Sequence, residues 1–243
     1  MALIEKINKI KEIIINLIFP KICLSCSKEG SCLCQTCLEK LTLISHFCCP
    51  ACHKISAFGI TCKSCEHRTH LKGAIYALDY KNQITAKAIK NLKYHSVKEL
   101  VDPLAEILIK MIKNSHFLSI NFSTNVSSSI IIPVPLHHKK FLWRGFNQSE
   151  LLAKKIAEEF EINFKNNVLF KIKNTPSQTG LDLKKRKTNV VDSFAIKNHK
   201  EIKNKIIFLI DDLFTTGSTI NEAAKVLKKA GAKQVWGITL ARG

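Results

Sequence analysis

Residues 206–219 read IIFLIDDLFTTGST. Five apolar residues run into an adjacent pair of aspartates, and a hydroxyl-rich glycine turn follows. The apolar run suits a buried strand, and TINEAAKVLKKAG (219–231) has helical spacing with Gly231 as its stop signal. A strand ending at Asp211 and Asp212 sets both carboxylates at the carboxyl edge of a parallel sheet, where such sheets bind ligands. The helix points its amino terminus at the same crevice, with Thr215, Thr216, Gly217, Ser218 and Thr219 between. Backbone N–H groups and the helix dipole favour an anion there, most naturally a phosphate. Gly217 permits close backbone approach. A phosphate cradle with two acceptors a sugar's width away fits ribose 5-phosphate, whose vicinal hydroxyls two carboxylates can receive. Helix capping accounts for one hydroxyl of the turn, but not for the others or for the acid pair. The stretch is neither a Walker A loop nor a Gly-x-Gly-x-x-Gly fingerprint.

A second chemistry is written in the cysteines. All ten lie between Cys23 and Cys65, and eight form Cys-x-x-Cys pairs: Cys23/Cys26, Cys34/Cys37, Cys49/Cys52 and Cys62/Cys65. Such a turn sets two thiolates on one tetrahedral zinc, and a second turn closes the site. Seven residues separate the first two pairs and nine the last two, which suits zinc ribbons. Two structural zinc ions, each held by consecutive pairs, are the simplest arrangement; an interleaved pairing is the alternative. His46, His53, His67 and His70 are spare donors, and Cys32 and Cys48 each sit beside a preferred ligand. Zinc would supply folding energy to a region too short for a core of its own.

Positioning these groups requires an α/β frame. AIYALDY (74–80), SIIIPVPL (129–136), VLFKIK (168–173), IIFLI (206–210) and QVWGITLA (234–241) read as strands. Residues 84–95, 97–113 and 149–160 read as helices, and their alternation with strands predicts a parallel sheet flanked by helices. Residues 114–129 read as a loop, and TPSQTGLDLKKRKTNV (175–190) as a polar, basic one. The expected organisation is an amphipathic helix over 1–20, a double zinc ribbon over 21–70 and the α/β domain over 71–243. The amino terminus lacks the pattern of a secretory signal or a bilayer span, so a cytoplasmic protein with reduced cysteines is expected. The formal net charge of +19 suits an anionic partner, although nearly all of it is lysine. Four arginines stand out against that background: Arg68, Arg144, Arg186 and Arg242. Arginine reads phosphate geometry better than lysine does.

Residues 207–219 resemble the phosphoribosyl pyrophosphate motif of type I phosphoribosyltransferases. Residues 133–157 and 175–196, LKYH (92–95) and the cysteine pairs after Phe19-Pro20 are similar to the ComF family, competence-associated phosphoribosyltransferase-like proteins. The resemblance implies a type I phosphoribosyltransferase-like domain that binds phosphoribosyl pyrophosphate or a nucleotide, with Mg²⁺ accompanying the pyrophosphate. It implies that Asp211 and Asp212 receive the ribose hydroxyls and Thr215 to Thr219 the 5′-phosphate. Arg144 is the first candidate for the pyrophosphate side, with Asn147 and Gln148 beside it. Gln178, Arg186 and Asn189 would lie on a closing flap, and Arg144 and Arg186 join the acids as candidate catalytic groups. Lys93 and Tyr94 fit the family pattern without a clear chemistry. The implied biology is DNA uptake in natural transformation, with single-stranded DNA and a DNA-uptake helicase as candidate partners. Phe141, Trp143 and Phe146 among Lys139, Lys140 and Arg144 are the candidate stacking surface for a single strand.

Overall fold

A computed structural model describes residues 20–94, 97–115, 128–174 and 190–243. The expected helix over 1–20 falls on residues outside these, as do Gln178, Arg186 and Asn189 of the expected flap.

The cysteine-rich segment forms two modules with the same turn. In the first, Cys23 N donates to Lys28 O and Ser27 N to Cys23 O; in the second, Cys49 N donates to Lys54 O and His53 N to Cys49 O. Ser27 and His53, each directly after the second cysteine of its turn, take left-handed φ of 61° and 62°. Helix α1 (Gln35–Glu39) belongs to the first module. Cys23, Leu33, Cys37 and Leu41 of that module share a core with the helices beyond.

Strand β1 (Gly73–Asp79), helices α2 (Gln83–Tyr94) and α3 (Val101–Asn114), and strand β2 (Ser129–Pro133) come next. Pro103 sits in the first turn of α3, where no backbone donor is needed. Helices α4 (His138–Arg144) and α5 (Gln148–Glu159), strand β3 (Asn163–Phe164), and β4 (Leu169–Lys171) with β5 (Phe194–Ile196) follow. Strand β6 (Ile206–Phe214), helix α6 (Ser218–Lys229) and strand β7 (Gln234–Arg242) complete the chain. The main sheet has the order β1-β7-β6-β2-β3, and its pairs are parallel. Its faces separate by alternation along β6: Phe208 and Ile210 join a core with α2, α3 and α5, whereas Ile207 and Leu209 pack with α6 and β4/β5.

Three elements depart from the sequence reading. The run expected at 168–173 does not enter the parallel sheet; β4 pairs antiparallel with β5. Only residues 165–168 separate β3 from β4, far too few for the crossover a parallel neighbour needs. Helix α4 falls where no element was expected; its exposed Leu142 and Trp143 obscure any amphipathic pattern. Strand β6 runs past the acids to Phe214, because β7 stays paired with it as far as Arg242.

The modules also fasten to the sheet. Ile44 N donates to Ala77 O, and Ile60 bridges Gly73, along the outer side of edge strand β1. Gly59, at φ 68°, comes so close that a Cβ would lie 2.0 Å from Ala74 O.

Candidate functional site

The ladder between β2 and β6 ends at Pro133↔Ile210, whereas the one between β6 and β7 continues to Phe214↔Arg242. Asp211 and Asp212 therefore sit one step beyond the end of β2, at the mouth of a cleft of about 1510 Å³. Thr215, Thr216, Gly217, Ser218 and Thr219 line the same cleft. Gly217 is the N-cap of α6 at φ 71°, and a Cβ there would come within 2.5 Å of Phe214 Cζ. The turn is thus folded tightly against the strand that carries the acids. Thr216 Oγ1 and Ser218 Oγ are 2.7 Å apart, and Ser218 N donates to Thr216 Oγ1. The hydroxyls are gathered at the helix amino terminus, an anion-binding arrangement.

The two acids have different settings. Asp212 is 2% exposed; its Oδ1 lies 2.7 Å from Lys93 Nζ, and its Oδ2 is buried without a hydrogen-bond partner. Asp211 Oδ1 accepts from Ser149 Oγ at 2.9 Å and from Asp212 N at 2.9 Å. Burial, and then the charge of Asp212, push the Asp211 carboxyl up to about 6, against the pull of Lys93. Burial works against the Lys93 charge, but Asp212 and Asp211 outweigh it and its pKa is raised. Lys93 was not assigned a chemistry from sequence. One lysine in a lysine-rich chain carries no signal of its own, and its place in LKYH (92–95), which fits the family pattern, was the hint.

Residues 147–243 match the family described as the phosphoribosyl transferase domain. The chain is 40% identical over 114 residues to Competence protein F of Haemophilus influenzae, covering 46% of this chain and 50% of that one. It is 27% identical over 224 residues to Competence protein ComFC of Bacillus subtilis, covering 86% and 84%. The DNA utilization protein YhgH of Salmonella typhimurium is 29% identical over 151 residues, covering 61% and 63%. The chain is thus similar to the ComF-type competence proteins, and its residues 147–243 to the phosphoribosyl transferase domain. It spans half the length of the Haemophilus relative and most of the Bacillus one.

The cleft has a cationic side formed by Lys93, Lys140, Arg144 and Lys171. Arg144 Nη1 donates to Gln148 Oε1, and its guanidinium lies 5.8 Å from the Tyr94 ring centre. Burial lowers the pKa values of Lys140, Arg144 and Lys171. Asn147 does not line the cleft. It caps α5 by accepting from Ser149 N and ties that helix to the end of β2 by donating to Val134 O. Its neighbour Ser149 reaches Asp211 because of this cap. Phe146 is 5% exposed, beneath Lys98, which removes it from the candidate stacking surface. Phe141 and Trp143 remain exposed.

The opposite wall comes from the second cysteine module, through Pro50, Ala51, His53, Arg68 and Thr69. Thr69 Oγ1 and His70 N both donate to Asn221 Oδ1 in the first turn of α6, which docks this module beside the hydroxyl turn. Arg68, Arg144 and Arg242 all line the cleft.

The cysteines fall into two groups of four, Cys23/Cys26/Cys34/Cys37 and Cys49/Cys52/Cys62/Cys65, with sulfurs within 4.8 Å of one another. Consecutive pairs, not interleaved ones, therefore meet. Thiolates about 2.3 Å from zinc have sulfur–sulfur edges of about 3.8 Å. Cys26–Cys34 at 3.6 Å and Cys52–Cys62 at 3.7 Å fit that size, and all ten cysteines are free. Burial raises the pKa values of Cys23 and Cys49, but backbone N–H donors outweigh it and hold each at about 6. A hydrogen bond with Ser25 lowers that of Cys37, but burial and the neighbouring cysteines outweigh it and push it up to about 11; Cys62 and burial push Cys65 up to about 11 as well. Both groups fit zinc; Cys32 and Cys48 belong to neither.

Proposed function

We propose that this protein binds phosphoribosyl pyrophosphate or a nucleotide in the cleft and acts, as a ComF-type phosphoribosyltransferase-like protein, in cytoplasmic DNA handling during natural transformation. The observation that carries the reading is the buried, unpartnered Oδ2 of Asp212, a residue that lines one cleft with Asp211 and the Thr215–Thr219 turn. A ribose hydroxyl would supply the missing donor, and a buried acceptor left unmet is costly. In this reading Asp211 and Asp212 receive the sugar hydroxyls and Thr215 to Thr219 the 5′-phosphate. Arg144, Lys140 and Lys171 face the pyrophosphate, and Mg²⁺ arrives with that substrate. Gln178, Arg186 and Asn189 act from the flap. Residues 21–70 are the zinc module and 71–243 the transferase-like domain. The relatives' names, which speak of competence and DNA utilization, support the biological context.

A second reading, an active transferase, is favoured by the two unlike walls of the cleft: one cationic, one carrying apolar residues for an acceptor. The acceptor's nitrogen would bond to C1 as the C1–oxygen bond to pyrophosphate breaks, with the electron pair leaving on pyrophosphate. Positive charge developing on the sugar faces the acids, and negative charge on the leaving group faces the cations. Pyrophosphate release from Mg²⁺-phosphoribosyl pyrophosphate across a nucleobase panel tests it, with an Asp211→Asn/Asp212→Asn control. Release that the control abolishes establishes the enzyme. Ligand binding without release with any base leaves the binding role and removes the catalytic one.

A further inference from the structure

Arg242 ends β7 opposite Phe214, two residues past the acid pair, and lines the cleft. Its guanidinium is held at both terminal nitrogens. Nη1 donates to Tyr76 OH at 2.5 Å, and Nη2 lies 2.9 Å from His53 Nδ1. Tyr76 is 2% exposed and belongs to β1; His53 comes from the second cysteine module. His53 is brought there by its left-handed turn, a costly conformation for a residue with a side chain. An arginine has five N–H donors, so these two contacts fix its plane and leave donors over.

A ligand with its phosphate on the hydroxyl turn and its sugar on the acids has one substituent left to place, the base at C1. The α2/α4 side of the cleft is crowded with cations and suits pyrophosphate. The module side offers Pro50 and Ala51 as an apolar face, Arg242 and Arg68 as donors, and no carboxylate among its lining residues. We propose that Arg242, oriented by Tyr76 and by His53 of the second cysteine module, is a specificity residue that donates to an exocyclic carbonyl of the base. The preferred ligand class is then the oxo-nucleotides. A base with an amino group at that position presents donors to a donor. This inference rests on the phosphoribosyl reading of the cleft.

The test is calorimetric titration of the full-length zinc-loaded chain with ribose 5-phosphate, inosine against adenosine 5′-monophosphate, and uridine against cytidine 5′-monophosphate. In at least one pair the carbonyl-bearing nucleotide is expected to bind about 10- to 100-fold more tightly, the range of a hydrogen bond to a charged group. Arg242→Met should reduce that preference to within about twofold, and Arg242→Lys should restore part of it. His53→Ala should weaken it while Arg242 remains. Equal affinities within both pairs overturn the proposal. So does Arg242→Met weakening ribose 5-phosphate, which has no base, as much as the oxo-nucleotide. If ribose 5-phosphate fails to bind the unmodified chain, the phosphoribosyl reading falls and this inference with it.

Discussion

Lys93 Nζ lies 2.7 Å from Asp212 Oδ1, with Asp212 almost wholly removed from solvent, while adjacent Asp211 is met by the neutral hydroxyl of Ser149. Two acids of one motif thus stand in opposite electrostatic settings. Asp212 is compensated by a cation; Asp211 is half-buried beside a like charge.

That difference separates two isosteric variants. Asp212→Asn leaves Lys93 without its counter-charge in a largely buried position and should destabilise the fold by about 3 kcal/mol. Asp211→Asn should do the reverse. The Asp211 pKa is raised to about 6 in the folded protein, so folding favours its neutral form. The unfavourable contribution is absent below the unfolded value of about 3.9 and grows as pH rises. It is complete above about 6. The Asp211→Asn variant should therefore be the more stable protein at pH 7.5 by on the order of 2 kcal/mol, and nearly equal to the unmodified chain at pH 4. Urea unfolding at the two pH values measures both. Ribose 5-phosphate affinity should fall in either variant.

Zinc content should follow the two cysteine groups. Atomic absorption is expected to find two zinc ions per chain, one for each group. Cys34→Ser and Cys62→Ser should each remove one, and Cys32→Ser neither. Chelation should lower the thermal midpoint, because metal binding supplies folding energy. A full zinc complement in Cys62→Ser would contradict the pairing.

Gly217→Ala should damage the hydroxyl turn twice over. The position requires φ near 71°, and the added carbon would meet the Phe214 ring at 2.5 Å. The backbone term alone is about 1–2 kcal/mol. Thermal unfolding should report that loss, and calorimetry should show ribose 5-phosphate binding weakened more than tenfold. Unchanged affinity would detach the turn from phosphate binding.

Single-stranded DNA can be followed through one fluorophore. Of the two tryptophans, Trp236 is 1% exposed and Trp143 is 66% exposed on α4, near Lys139 and Lys140. Oligothymidylate should quench the Trp143 emission at low salt, with an affinity that falls steeply as salt rises. Trp143→Ala should weaken binding by about 1–3 kcal/mol if bases stack there. Absence of quenching at low salt would remove α4 from DNA recognition.

The acid pair and its turn were legible because strand, carboxylates and glycine turn are contiguous, so local order encodes the site. The cysteine groups were legible because ligand spacing is itself the signal. What was hidden is non-local. Lys93 reaches Asp212 from a helix 119 positions earlier, and only tertiary packing brings them together. Asn147 looked like a ligand because polar residues at a helix start serve equally as caps. Strand β4 looked like part of the main sheet because its apolar run does not reveal its partner. Arg242 was marked only by the scarcity of arginine, and its two supports, Tyr76 and His53, come from distant parts of the chain.

Strand β1 stands at the margin of the main sheet, and the cysteine-rich segment covers its outer side through Ile44 and Ile60. An uncovered edge strand is a template on which another chain can add itself. Zinc held by the two cysteine groups would therefore bear on solubility as well as on the cleft. Metal-free chains would present a row of unpaired amides, and self-association by strand addition would be the failure to expect of them.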